Sequence, residues 1–136
     1  MNNEILKKSP PSIDAWLKEA KADSAAPKVG MFLVHNGVVR ETPKAKVRQG
    51  VDDGSTVMGM EFSYDREKVD RAIEETYKME GIYYIRAWLN EGQLQVGDDI
   101  MILLIGGDIR PNVINALQSL VEKIKTECVV EIEQKE

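Results

Sequence analysis

Lys125 stands one residue past an apolar stripe near the end of a predicted helix, where a lysine can serve as an acid, a base or an amine nucleophile. It does so only beside a pocket, where burial or a neighbouring cation lowers its pKa; elsewhere it is solvated and complements the helix dipole. A second group of basic residues lies in "RETPKAKVR", where Arg40, Lys44, Lys46 and Arg48 face Glu41 alone. A small basic island on a chain of net charge −5 suits a small anionic ligand or an acidic tail better than a polymer. The same residues read equally well as a solvated loop. A third candidate is "LLIGGDIRPNVINAL", where a strand runs through Gly106-Gly107 into a helix with Arg110 at its start. Free N–H groups beside an arginine can hold an anion, although a strand turning into a helix needs small residues anyway. No Gly-Lys-Ser/Thr follows the pair and no further glycine stands at dinucleotide spacing, so it is neither a P-loop nor a dinucleotide fingerprint.

The composition narrows the chemistry. His35 and Cys128 are the only residues of their kinds and lie far apart, so neither an N/S metal site nor an intrachain disulfide is expected. A reducing cytoplasm is the simplest compartment. His35, inside an apolar run, reads as a satisfied core residue and Cys128 as a small buried hydrophobe. Net negative charge argues against a nucleic-acid partner. No apolar run approaches the ~20 residues of a membrane-spanning helix, and "MNNEILKKSPPS" lacks a signal-peptide core. No Ser-His-Asp or paired-carboxylate constellation can be argued from order and spacing.

The elements that must position these residues follow from hydrophobic period. Residues 1–11 read as a flexible N-terminus ending at Pro10-Pro11, and 12–136 as a single domain. Ser12 caps a helix carrying Ile13, Trp16, Leu17 and Ala20 on one face. "KVGMFLVHNGVVR" reads as a strand buried on both faces, its Asn36-Gly37 a turn or a bulge. After the basic loop, "TVMGMEFSY" alternates with Met58, Met60, Phe62 and Tyr64 on one face. A helix follows with Val69, Ala72, Ile73, Thr76 and Tyr77 inward, the pairs Glu67–Arg71 and Glu74–Lys78 outward, and Gly81 at its C-terminal cap. "IYYIRAWL" and "IMILLIGG" are strands joined by a turn-rich connection. Pro111 opens the last helix, and "CVVEIEQ" can be a last strand. From Thr56 onward the fold class is therefore α+β with a β-α-β-β-α-β core, the split βαβ arrangement.

The order of motifs resembles the large, catalytic subunit of molybdopterin synthase. The matching residues are the Gly-x-Val-Arg of Gly37–Arg40, the Gly-x-Leu-x-x-Gly-Asp of Gly92–Asp98, Arg110, and Ile124-Lys125-Thr126, together spanning roughly Val29 to Lys125. The resemblance implies an α/β-hammerhead fold and a homodimer, assembled with a small ubiquitin-like sulfur-carrier subunit into a heterotetramer. It implies that the partner's Gly-Gly tail, bearing a thiocarboxylate, donates sulfur to a cyclic pyranopterin monophosphate to build the molybdopterin dithiolene, with no metal and no cofactor on the large subunit. Arg40 and Arg110 would then bind the phosphate, with Lys44 and Lys46 of the basic island contributing, and Lys125 would move protons or stand beside the thiocarboxylate carbonyl.

This chain departs from the family pattern at several places. Ile109-Arg110 keeps only the arginine of a His-Arg pair, and Leu89-Asn90 replaces another. Where the family continues "x-x-P-x-W-K-x-E" with a second essential lysine, this chain has "ECVVEIEQKE". An ungapped match puts Ile132 at that lysine, and Lys135 substitutes only with a shift of register. Two rivals stand beside the sulfurtransferase: an enzyme-dead paralogue that still binds the small subunit, and a ferredoxin-like regulatory module that binds a small ligand.

Overall fold

The structure, a computed structural model, describes residues 5–136; the first four residues of the expected N-terminal segment lie outside it. The helices are α1 (Ile13–Lys21), α2 (Lys44–Gln49), α3 (Arg66–Tyr77) and α4 (Arg110–Lys123). The strands are β1 (Met31–Val38), β2 (Val57–Tyr64), β3 (Ile82–Leu89), β4 (Gly92–Gln95), β5 (Asp99–Gly107) and β6 (Val129–Lys135). None of the described helices is long and apolar enough to cross a membrane.

The strands form two 3-stranded antiparallel sheets, ordered β1-β5-β3 and β4-β2-β6. The β-α-β-β-α-β order places β6 on β2 and β5 on β3, but those two pairs do not join into one sheet. β1 occupies the other edge of β5, and β4 occupies the other edge of β2. Both central strands are thereby saturated, and the residues expected to be a turn-rich connection supply a strand.

β5 organises the core because its run from Ile100 to Ile105 is buried on both faces. Ile102 and Leu104 meet Trp16 and Ala20 of α1, while Met101, Leu103 and Ile105 meet the cluster built by α3, α4 and the second sheet. A fully buried large apolar side chain contributes roughly 1.5–3 kcal/mol, so this strand anchors both layers. Ser12 caps α1 by accepting a hydrogen bond from the Ala15 N–H at 3.2 Å. The Arg86 guanidinium lies 4.7 Å from the Trp16 ring, closing the outer side of that helix. The segment before α1 is also tied down: Lys7 pairs with Asp98 at 2.8 Å, and the Lys8 ammonium donates to the Tyr64 hydroxyl at 3.0 Å.

Several local expectations change. β1 is only half-buried, because it is an edge strand, and its register shifts between Gly37 and Val38 as a bulge. A second irregularity between Val57 and Gly59 turns Met58 outward and Val57 inward, breaking the alternation read along β2. Part of the basic loop is helical: α2 starts after Pro43 and stops at Gly50, whose φ of 69° is the left-handed conformation that glycine takes readily. On α3 the ion pair is Arg66–Asp70, not either of the expected pairs. Gly81 does adopt a positive φ, three residues past the capping Lys78.

Candidate functional site

α4 ends in a π turn, Ile124–Cys128, whose first and last residues are buried. With those two anchored, the turn sets Lys125 on the wall of a cleft of about 220 Å³ between the two sheets. π turns recur at functional sites because they rotate a side chain out of the regular helical register. The opposite wall comes from β1 and the chain after it, which supply His35, Gly37 and Arg40. α2 contributes Lys44, and β6 contributes Glu131 and Glu133.

The electrostatics converge on Lys125. Half-burial pulls its pKa below the ordinary 10.5, and Arg48, Lys44 and Arg40 push it further down, while Glu131 opposes them. His35 is lowered from 6.5, first by burial and then by the charge of Lys125. The imidazole is therefore neutral around pH 7. Among the described residues neither Arg40 nor Lys125 has a carboxylate within ion-pair distance.

Lys44 is differently placed. Its ammonium pairs with Glu131 Oε2 at 2.7 Å, and its N–H donates to both Glu133 oxygens at 3.0 and 3.2 Å. Two atoms on the cleft-lining side chains are buried without a hydrogen-bond partner: His35 Nε2 and Glu131 Oε1. Reading His35 as a satisfied core residue therefore does not hold.

Of the residues singled out in the sequence, Arg40, Lys44 and Lys125 come together. The others do not. Lys46 is exposed and pairs with Asp52 at 3.1 Å, outside the cleft. Arg110 is exposed at the far end of α4, and a 14-residue helix separates its ends by about 20 Å. One backbone N–H at that turn is already engaged. Asp108 Oδ1 accepts from the Ile109 N–H at 2.6 Å and from the Asn112 side-chain amide at 2.9 Å, which sets a carboxylate beside Arg110. Lys135 is exposed near the end of β6, about 13 Å along the strand from Glu131 and within electrostatic reach of Asp53.

His35, Glu131 and Glu133 are the polar cleft residues the sequence reading passed over. Glu131 carried a signal in its alternation. On β6 the acidic Glu131 and Glu133 point inward while Val130 and Ile132 are 56% and 50% exposed, the inverse of a core strand. Two broader depressions lie elsewhere, beside Lys68 and Glu127, and neither holds an unpartnered buried side chain. Cys128 is buried, and burial pushes its thiol pKa up, as a packing residue requires. Among the described residues no group of three or more His, Cys, Asp or Glu side chains converges to hold a metal ion.

The model of the MoaE protein family matches residues 6–127. A search of curated proteins gives no significant match. Among solved structures, molybdopterin synthase from Staphylococcus aureus is 19% identical with a TM-score of 0.73, covering 100% of this chain and 93% of that one. The MoaE protein of Burkholderia ambifaria MC40-6 is 16% identical with a TM-score of 0.68, covering 93% and 84%. A complex of subunits 1 and 2 of molybdopterin-converting factor from Helicobacter pylori 26695 gives 18% and 0.64, covering 89% and 74%. At these identities the structural likeness shows the fold, the hammerhead-type α+β architecture expected from the sequence.

Proposed function

The chain belongs to the MoaE protein family of molybdenum cofactor biosynthesis, and we propose that it is the sulfur-transferring subunit acting on a cyclic pyranopterin monophosphate. The observation that carries this reading is the half-buried Lys125, held by the π turn in a cleft that also contains Arg40. In this reading the nucleophilic sulfur arrives as the thiocarboxylate on the Gly-Gly tail of a small ubiquitin-like subunit. The large subunit then has three tasks: to hold a phosphate, align the tail, and exchange protons as sulfur bonds to the pterin, its bond to the tail's carbonyl carbon breaks, and water takes its place to leave a carboxylate. Arg40 at the rim suits the phosphate. Lys125, with its lowered pKa, suits the proton transfer.

Arg110 shares that phosphate only across a dimer, because within one chain α4 keeps it about 20 Å from Lys125. Lys135 drops behind His35 as the second group able to exchange protons, since His35 is in the cleft and neutral. The rival reading, a homologue that binds the small subunit without chemistry, is favoured by Ile132. That residue occupies the ungapped position of the family's second lysine and points away from the cleft.

Titrating the chain with the small subunit, intact and lacking its last two glycines, tests the partnership. A stable complex that weakens without the tail is expected. No complex with either form overturns both synthase-like readings and leaves a small-ligand module.

A further inference from the structure

The cleft is not built as a plain phosphate site. Glu131 brings a carboxylate into it, and its side chain is only 6% exposed. One oxygen, Oε2, is held by Lys44 at 2.7 Å, which fixes the carboxylate in place. The other, Oε1, is buried with no donor. A buried carboxylate oxygen is costly to leave unpaired, and native structures keep such atoms where something else completes the bond. Inorganic phosphate completes it poorly, because its negative charge is repelled by the carboxylate even though a P–OH can donate.

We propose that Glu131 Oε1 accepts a hydrogen bond from a ring N–H of the ligand while Arg40 takes its anionic group. The cleft then favours a heterocycle that joins a hydrogen-bond-donating edge to a phosphate over phosphate alone. This rests on the pterin monophosphate reading above: the amino-oxopyrimidine edge of a pterin carries N–H donors of this kind. His35 Nε2, also buried and unpartnered in the cleft wall, is the second polar contact available to the ring.

The test is a pair of binding titrations followed by NMR, using 6-hydroxymethylpterin, which has the ring but no phosphate, and inorganic phosphate. Glu131→Gln should weaken the pterin about tenfold or more, the loss of a charge-assisted hydrogen bond. The same change should leave phosphate binding equal or tighter, because a repelling charge is gone. Glu131→Asp keeps the charge but withdraws the oxygen, so it should weaken the pterin and leave phosphate unchanged. That variant also serves if Glu131→Gln fails to fold, as judged by its thermal melt. Should Glu131 only neutralise Lys44, Glu131→Gln would tighten phosphate and leave the pterin untouched, which overturns the proposal while the sulfur-transfer reading stands. Wild-type protein that binds no pterin at all overturns both.

Discussion

Lys44 and Glu131 meet at 2.7 Å, joining the basic segment to the last strand with the Glu131 side chain 6% exposed. One cation of the island that looked available to a ligand is thus committed to an internal partner. The carboxylate it holds opposes the other cations acting on Lys125. The cleft is a balance of charges, and its behaviour depends on which member is removed.

Lys44→Met should destabilise the fold by about 1–3 kcal/mol, because it strands a buried carboxylate. Lys46→Met removes a pair exposed on both sides and should stay within about 1 kcal/mol. Urea unfolding of the two variants checks the contrast. Equal midpoints would mean that Glu131 does not depend on Lys44.

Lys125 should titrate below the ordinary lysine value of 10.5, chiefly because it is half-buried. Labelling with an amine-reactive reagent across a pH series, read residue by residue by mass spectrometry, measures this. Glu131 opposes the shift, so Glu131→Gln should move the Lys125 midpoint lower still. A midpoint at or above 10.5 in the parent would contradict the burial argument.

His35 gives a pH dependence with a definite sign. Its folded pKa lies below 6.5, owing to burial and then to Lys125, so the unfolded chain binds the proton more readily. That contribution to stability is present above 6.5 and is lost as the pH falls from there through the folded value. The groups facing it from the other cleft elements include Lys125, Arg40, Lys44 and the carboxylates of Glu131 and Glu133. His35→Gln should therefore lose less stability than the parent between pH 7 and pH 5, as read from urea midpoints at the two pH values. An identical loss in both proteins would assign the acid sensitivity to other groups.

The glycine pair has a packing purpose that stability measurements can test. A Cβ on Gly107 would lie 2.6 Å from the Gly81 carbonyl oxygen and 2.7 Å from Val113, so α4 can approach β5 only over a bare backbone. Gly107→Ala should cost about 1–3 kcal/mol through overpacking, measurable as a lowered thermal midpoint. An unchanged midpoint would show that the helix has room to move.

Much of this architecture was legible in the residues. Ser12 with its apolar stripe announced α1, and the unbroken apolar run after Asp99 announced β5. Met58 was misplaced because a bulge is a backbone event that leaves period-2 alternation intact in the sequence while shifting one residue. α2 was missed because six residues are too few for a helical period to register, although Pro43 and Gly50 mark its two ends. The division into two sheets depends on which edges β1 and β4 find, a long-range choice that no local pattern encodes.

The site was legible in part for a similar reason. Arg40 and Lys125 were found by residue type and motif order, and the fold brings both to one cleft. Lys46 was grouped with them by its place in the basic run, Arg110 by its helix N-terminus and the family motif, and Lys135 by a shifted register, and none of these says which side of an element a residue occupies. Glu131 was overlooked because alternation reveals that a strand has two faces without saying which is inside. His35 was assigned to the core because its neighbours are apolar, yet β1 is an edge strand and presents it to the cleft.

The central claim, that Lys125 exchanges protons during sulfur transfer, is tested most directly by single-turnover reaction with a thiocarboxylated small subunit and cyclic pyranopterin monophosphate. Product is read as the fluorescent oxidised pterin. The parent should form product, and Lys125→Ala should lose it by 10²-fold or more, the order typical for removing a positioned acid–base group, while still binding the small subunit. Product formed at the parental rate by Lys125→Ala, or no product from the parent in a stable complex, would contradict the account.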